Sequence, residues 1–289
     1  MLEWLLEPLS HEFMRNAIAT GMLVGVLCPV VGSYLLVQRM ALLGNAIAHA
    51  VLPGLAIANF LGIELLAGAF VFGLLSTFII HWIQQQSRVK VDAAMALTLA
   101  SFFALGVVLL KVLRSHLDLE SLLFGDILTV TPVNIWHTGI IAATILLAIR
   151  LFYKELLFYT FDPVGAEAIG LSVKIISLGL TIATTLAIVA SLKTVGVILS
   201  VSLLVGPAIA AYLLVKELHW MMIVGAILGA FSSFSGMYLS YYFDLPSGPA
   251  IALVVFGLVL AALLFSPSQG LLTQPGSSQA IGKILKRLR

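Results

Sequence analysis

Leu43-Gly44-Asn45-Ala46-Ile47-Ala48-His49-Ala50-Val51-Leu52-Pro53-Gly54 sets an amide, an imidazole and a proline at four-residue intervals in a segment otherwise suited only to lipid. Residues i and i+4 share a helix face, so a helical reading stacks Asn45, His49 and Pro53 along one line. Pro53 has no N–H, so the carbonyl of His49 loses its helical partner and a kink is expected there, with Gly54 beside it. A polar pair next to a freed carbonyl is tolerated in hydrocarbon only where it faces protein, water or an ion. The stretch therefore reads as a broken membrane helix that handles a cation.

Composition fixes the setting. Of 289 residues, 61% are hydrophobic and only 10% charged, with a mean hydropathy of +1.13, whereas a soluble domain carries about 25% charged residues. The fold class is all-α: a polytopic transmembrane helical bundle in a lipid bilayer. The net charge of +2 says little about partners, and no nucleic-acid partner is expected. Cys28, the single cysteine, can form no intramolecular disulfide and excludes a Cys-rich metal site. Residues 1–16 read as an amphipathic lead-in whose Glu3, Glu7 and Glu12 replace the basic start of a signal peptide, so no cleavage is expected.

Apolar runs of about 20 residues, the length a bilayer requires, recur through residues 17–266. They predict about nine spans, near 17–37, 46–62, 64–83, 92–113, 133–152, 175–190, 194–215, 220–243 and 248–265. Spans six and seven are joined by the tight link Ser191-Leu192-Lys193. Span seven contains Gly206-Pro207, which frees the carbonyl of Leu203 as Pro53 frees that of His49. Between spans four and five, Leu122–Leu128 is too short to cross and reads as a surface or partly re-entrant helix. Asp162-Pro163 supplies an N-cap with proline at the first helical position, and Gly170 a C-terminal stop, so a helix of about two turns is expected outside the bilayer. Ser247 is a candidate cap for span nine. Residues 267–289 form a Pro/Gly/Ser/Gln-rich tail ending in Lys283, Lys286, Arg287 and Arg289.

Lysine and arginine placement sets the orientation. One side receives Arg39, Arg88, Lys90, Arg150, Lys154, Lys174, Lys216 and the four cations of the tail, eleven in all. The other receives four: Arg15, Lys111, Arg114 and Lys193. The first side is therefore cytoplasmic, which puts Pro163–Gly170 in the cytoplasm, Leu122–Leu128 outside, and His49 about one turn deeper than the cytoplasmic start of its span.

Asn45 and His49 are the sharpest constellation, because imidazole and amide oxygen both bind metal ions. The plainer alternative is a pair that bonds across helices, as Asn and His do in membranes. As metal ligands they are an incomplete set, since a dication takes about four to six donors. Asp92 and Glu64 fit interfacial positions at span starts; His81 and His219 fit snorkelling positions; His11, His116 and His137 fit the solvated outer face. No phosphate-binding G-x-x-x-x-G-K-[ST] loop and no hydrolytic set occurs, so the chain is expected to be no enzyme and to draw energy from an ion gradient or a separate ATPase.

Gly44 to Gly54 resembles the G-D-A-x-S-H-A-V-L-P-G signature of the manganese/zinc-type ABC permeases, the membrane subunits of bacterial metal-uptake transporters. Leu123–Leu128, Phe161-Asp162-Pro163 through Leu171, Val195 through Ala208, and Asp244–Pro249 are similar to further segments of that family. Residues 1–9 and 37–43 look most like cyanobacterial manganese permeases. The resemblance implies a homodimer of permeases in the bacterial inner (plasma) membrane. An ATP-binding subunit would sit on its cytoplasmic face and a metal-binding protein outside. It further implies that Mn²⁺, or Zn²⁺, is the transported ion with no permanently bound cofactor, and that Asp162, Pro163, Ala166, Ala168 and Gly170 belong to the helix that couples to the ATPase. The family's pathway Asp and His map onto Asn45 and His49, with Pro53, Gly54, Gly206 and Pro207 at helix breaks. Asn45 replaces the usual Asp, and Ala48 the usual Ser. A carboxylate would offset a dication's desolvation with a full charge, where an amide offers a dipole. The competing transport reading is a gradient-driven carrier, whose inverted repeats are not visible in the sequence. An intramembrane enzyme lacks a nucleophile and base.

Overall fold

The computed structural model describes residues 7–114, 125, 127 and 130–266. Among them are eleven helices and no strand: α1 Glu12–Val37, α2 Leu42–Ala50, α3 Leu52–Leu61, α4 Leu65–Gln86, α5 Val91–Val112, α6 Pro132–Leu151, α7 Tyr153–Phe161, α8 Pro163–Ala168, α9 Val173–Leu214, α10 Leu218–Phe243 and α11 Ser247–Phe265. Taking α2 with α3 as one crossing and α9 as two, nine spans among the described residues are long and apolar enough to cross a membrane. Residues 1–6, His116, most of Leu122–Leu128 and the basic tail lie outside the described residues.

Burial identifies the centre. In α1 and in α2–α3 the most apolar stretch is 72% buried, against 22–50% in the other spans. α1 packs against α10, α9 and α6, while α2 and α3 pack against α4 and α5; α9 touches both groups and joins them. Large apolar side chains on the remaining helices, such as Phe78, Val112, Trp136 and Phe256, point outward, where only lipid can accommodate them.

Small residues set how close the helices come, as expected where lipid removes the hydrophobic drive between helices. A Cβ on Gly25 would run into the backbone of Gly229, and one on Gly229 into that of Gly25, so α1 and α10 meet backbone to backbone. Gly32 lies under the carbonyl of Leu204, and Gly44 under the side chain of the same leucine, so α1 and α2 both close on α9 at that point.

Three boundaries differ from the sequence expectation. The first span starts at Glu12 because Arg15, in its first turn, bonds the carbonyls of Leu9 and Ser10 (3.1 Å each) and ties the preceding turn to the helix. Spans six and seven are separated by a break at Gly196 (φ 77, ψ 174), while Ser191–Lys193 remains helical. At 42 residues, α9 would be about 63 Å long, twice the hydrocarbon thickness. The break therefore needs a residue free to adopt positive φ, which glycine supplies and the 191–193 link does not. Finally, Ser247 opens α11 with Pro246 in the capping position, and no side chain caps that end.

Candidate cation pathway

The opening stretch folds as two consecutive helices separated at Val51. α2 ends at Ala50 and α3 begins at Leu52 with Pro53 in its first turn. Neighbouring helices cover the junction through glycines. A Cβ on Gly106 of α5 would strike Leu52 and the Pro53 nitrogen, and Gly54 and Gly68 exclude side chains from each other's backbone. Gly54 is thus the point where α3 meets α4. Gly106 lies against the break at Leu52–Pro53, and Gly68 lets α4 approach the helix just beyond it at Gly54.

Along Leu43–Ala50 every residue is buried except Asn45 and His49, which are each partly exposed. The one polar line of α2 is therefore also its one incompletely covered line. The imidazole of His49 stands edge-on to Phe103 of α5, with ring centroids 5.5 Å apart and planes at 84°. Its Nδ1 is buried with no hydrogen-bond partner. A buried ring nitrogen normally has a partner, so this ring keeps coordinating capacity that protein contacts do not use. Among the described residues no three of His, Cys, Asp and Glu gather into a group that could hold a metal ion.

Beyond Gly196, α9 stays helical through Gly206-Pro207, so the break expected there does not form and the two residues act in packing. Gly206 lies under Val255 of α11, and Pro207 sits inside the second half of α9. A third proline, Pro29, interrupts α1, and Ser33 donates a hydrogen bond to its carbonyl (2.7 Å). Pro29 packs against Gly225 and Gly229; its signal in sequence was a proline in the first apolar span. The other described histidines have ordinary settings. His81 pairs with Gln85 (2.8 Å), His219 lies 3.5 Å from Glu217, and His11 stacks on Phe13. His137 is exposed. Asp92 lies in the first turn of α5 and Glu64 just before α4, neither forming a side-chain cap.

Residues 10–266 match the ABC 3 transport family. The chain belongs to that family. It is 42% identical over 264 residues to the manganese transport system membrane protein MntC of Listeria monocytogenes, covering 91% of this chain and 94% of that one. It is 38% identical to a probable iron transport system membrane protein of Haemophilus influenzae, covering 92% of this chain and 98% of that one. Among solved structures it superposes on a chain of PsaBC from Streptococcus pneumoniae in complex with Fab, with a TM-score of 0.85 and 37% identity over 93% of this chain and 97% of that chain. As a member of the ABC 3 transport family this multi-pass protein is a membrane transport subunit and not an enzyme.

In this family member the expected short helix is present as α8. Asp162 accepts a hydrogen bond from the Gly165 N–H (2.8 Å), Pro163 takes the first position, and Gly170 stops the run at φ 87. Ala166 alone is fully buried, anchoring the helix to the bundle. Phe161, Val164, Ala168 and Ile169 are exposed, an apolar face on a segment too short to lie across lipid.

Proposed function

We propose that this chain is the permease of a bacterial ABC importer whose cargo is a divalent transition metal ion, Mn²⁺ in the first instance, with Zn²⁺ the second candidate. Two copies would form the conduit in the bacterial plasma membrane, with residues 17–266 as the transport domain and residues 1–16 and 267–289 as lead-in and tail. A separate ATPase would supply energy, and an extracytoplasmic metal-binding protein would deliver the ion. The observation that carries the reading is the Asn45/His49 line: polar, incompletely covered, beside a proline break, with one imidazole nitrogen left unbonded. A neutral imidazole and an amide oxygen suit an ion that must bind and leave again, and the remaining donors would come from the second copy or from water.

The exposed apolar residues Val164, Ala168 and Ile169 support a docking role of α8 at the ATPase, since exposed apolar patches mark interaction sites. Asp162, Pro163, Ala166, Ala168 and Gly170 would hold its shape. ATPase activity of the reconstituted complex, measured across Mn²⁺, Zn²⁺ and Fe²⁺, tests the cargo. Stimulation strongest with Mn²⁺ supports the reading, and stimulation by none of the three removes it. A gradient-driven carrier is disfavoured if transport requires ATP and the partner subunit.

A further inference from the structure

A cavity of about 400 Å³ opens where α1, α7, α9 and α10 end on the side that charge placement makes cytoplasmic. Its lining pairs two cations, Arg39 and Lys216, with the Tyr212 ring and an apolar wall that includes Leu36, Phe161 and Met221. Among the described residues no carboxylate pairs with either cation; the neighbouring acid Glu217 is turned to His219, 3.5 Å away.

The backbone at Arg39 is the unusual part. The Arg39 N–H bonds the carbonyl of Leu36 (3.0 Å), and the Met40 N–H bonds that of Leu35 (2.7 Å). This is a helix-ending motif whose penultimate residue is left-handed and is normally glycine. Here it is arginine, at φ 60, a conformation unfavourable for a residue with a Cβ. The next residue inward is tied as well: Gln38 donates to the Thr160 hydroxyl (3.3 Å), which itself donates to the carbonyl of Leu156 (2.7 Å). Arg39 thus lines the cavity with Lys216 from a backbone position that glycine would hold without strain.

We propose that the cavity binds a phosphate group, that of an anionic phospholipid headgroup, with Arg39 and Lys216 on the phosphate and the apolar wall along the first part of the acyl chains. A guanidinium matches phosphate oxygens in a fork, and the lysine adds a second charge. The depth favours lipid over a soluble partner. The cavity lies at the ends of spanning helices, and the half-exposed Tyr212 in its lining and Trp220 in the first turn of α10 are the residue types that interfaces favour.

Arg39→Gly is an unusually clean test, because glycine is the residue the backbone prefers there and folding is preserved or improved. The full-length protein, with its ATPase subunit where the complex is used, is purified from bilayers containing phosphatidylglycerol and phosphatidylcholine. Native mass spectrometry then counts retained lipid. The native chain is expected to retain phosphatidylglycerol over phosphatidylcholine, and Arg39→Gly and Lys216→Gln each to reduce that retention about fivefold, with the melting temperature of Arg39→Gly unchanged or raised. Equal retention by native and variant chains overturns the proposal. Displacement of phosphatidylglycerol by millimolar inorganic phosphate alone would make free phosphate the ligand and remove the lipid assignment. Loss of the lipid whenever the ATPase is bound would give the cavity to the protein partner and also overturn it.

Discussion

The ring of Phe103 meets the imidazole of His49 edge-on, 5.5 Å between centroids and 84° between planes. The contact fixes the tilt of the histidine from a neighbouring helix, so the ring is oriented before any ion arrives. Phe103→Ala should lower folded stability by about 3 kcal/mol through the space it leaves. Phe103→Leu keeps most of that volume and should leave the amount of folded protein intact while reducing metal uptake. Comparing yield with uptake for the two variants separates packing from orientation. Full uptake by Phe103→Leu would show that the ring only fills space.

By the resemblance of Gly44–Gly54 to the permease signature, Asn45 stands where that signature carries Asp. Asn45→Asp should tighten Mn²⁺ binding, because a carboxylate offsets part of the ion's desolvation that an amide cannot. Equilibrium binding measured beside initial uptake rate checks this. Affinity should rise, and rate need not follow, since an ion held more firmly leaves more slowly. Equal affinity in both chains would mean that Asn45 does not touch the ion.

Asp162 caps the first turn of α8 through the Gly165 N–H at 2.8 Å. Asp162→Ala should remove about 1 kcal/mol from that short helix without unfolding the bundle. The predicted result is a normal yield of membrane protein with weakened retention of the ATPase on copurification. Asp162→Ser, which can also cap, should restore it.

Glycines divide into those that carry a close approach and those that do not. Gly32→Ala drives a methyl into the Leu204 carbonyl, backbone that cannot step aside, and Gly196→Ala places a Cβ at φ 77. Both should abolish accumulation of folded protein. Gly179 and Gly257 have open space around the added atom, so alanine there should be neutral or stabilise by up to about 1 kcal/mol through helix propensity. The yield of folded protein for all four variants, with thermal melting in detergent for those that accumulate, gives the ranking.

The membrane crossings were legible because a bilayer imposes a length and a polarity on each one, and residues 17–265 carry both in repeating form. Asn45, His49 and Pro53 stood out for the same reason, since a polar or helix-breaking residue in hydrocarbon needs an explanation. The cap at Asp162 and the stop at Gly170 were local chemistry and came out in place. What sequence could not place were features that depend on a partner helix. Phe103 looked like one apolar residue among many until α5 set it against His49. Gly106 covers the break at Leu52–Pro53, Gly68 meets Gly54 just beyond it, and Gly196 breaks α9, none of which residue type alone could place. The strain at Arg39 was equally hidden, because a residue's φ is set by the motif it closes and not by its type.

We propose that the cation passes along the Asn45/His49 line. Uptake of radioactive manganese into proteoliposomes holding the complete ATP-driven complex, native against His49→Ala, tests it most directly. Uptake lost in His49→Ala, with ATPase assembly and yield unchanged, is the predicted result; uptake at the native rate would contradict the account.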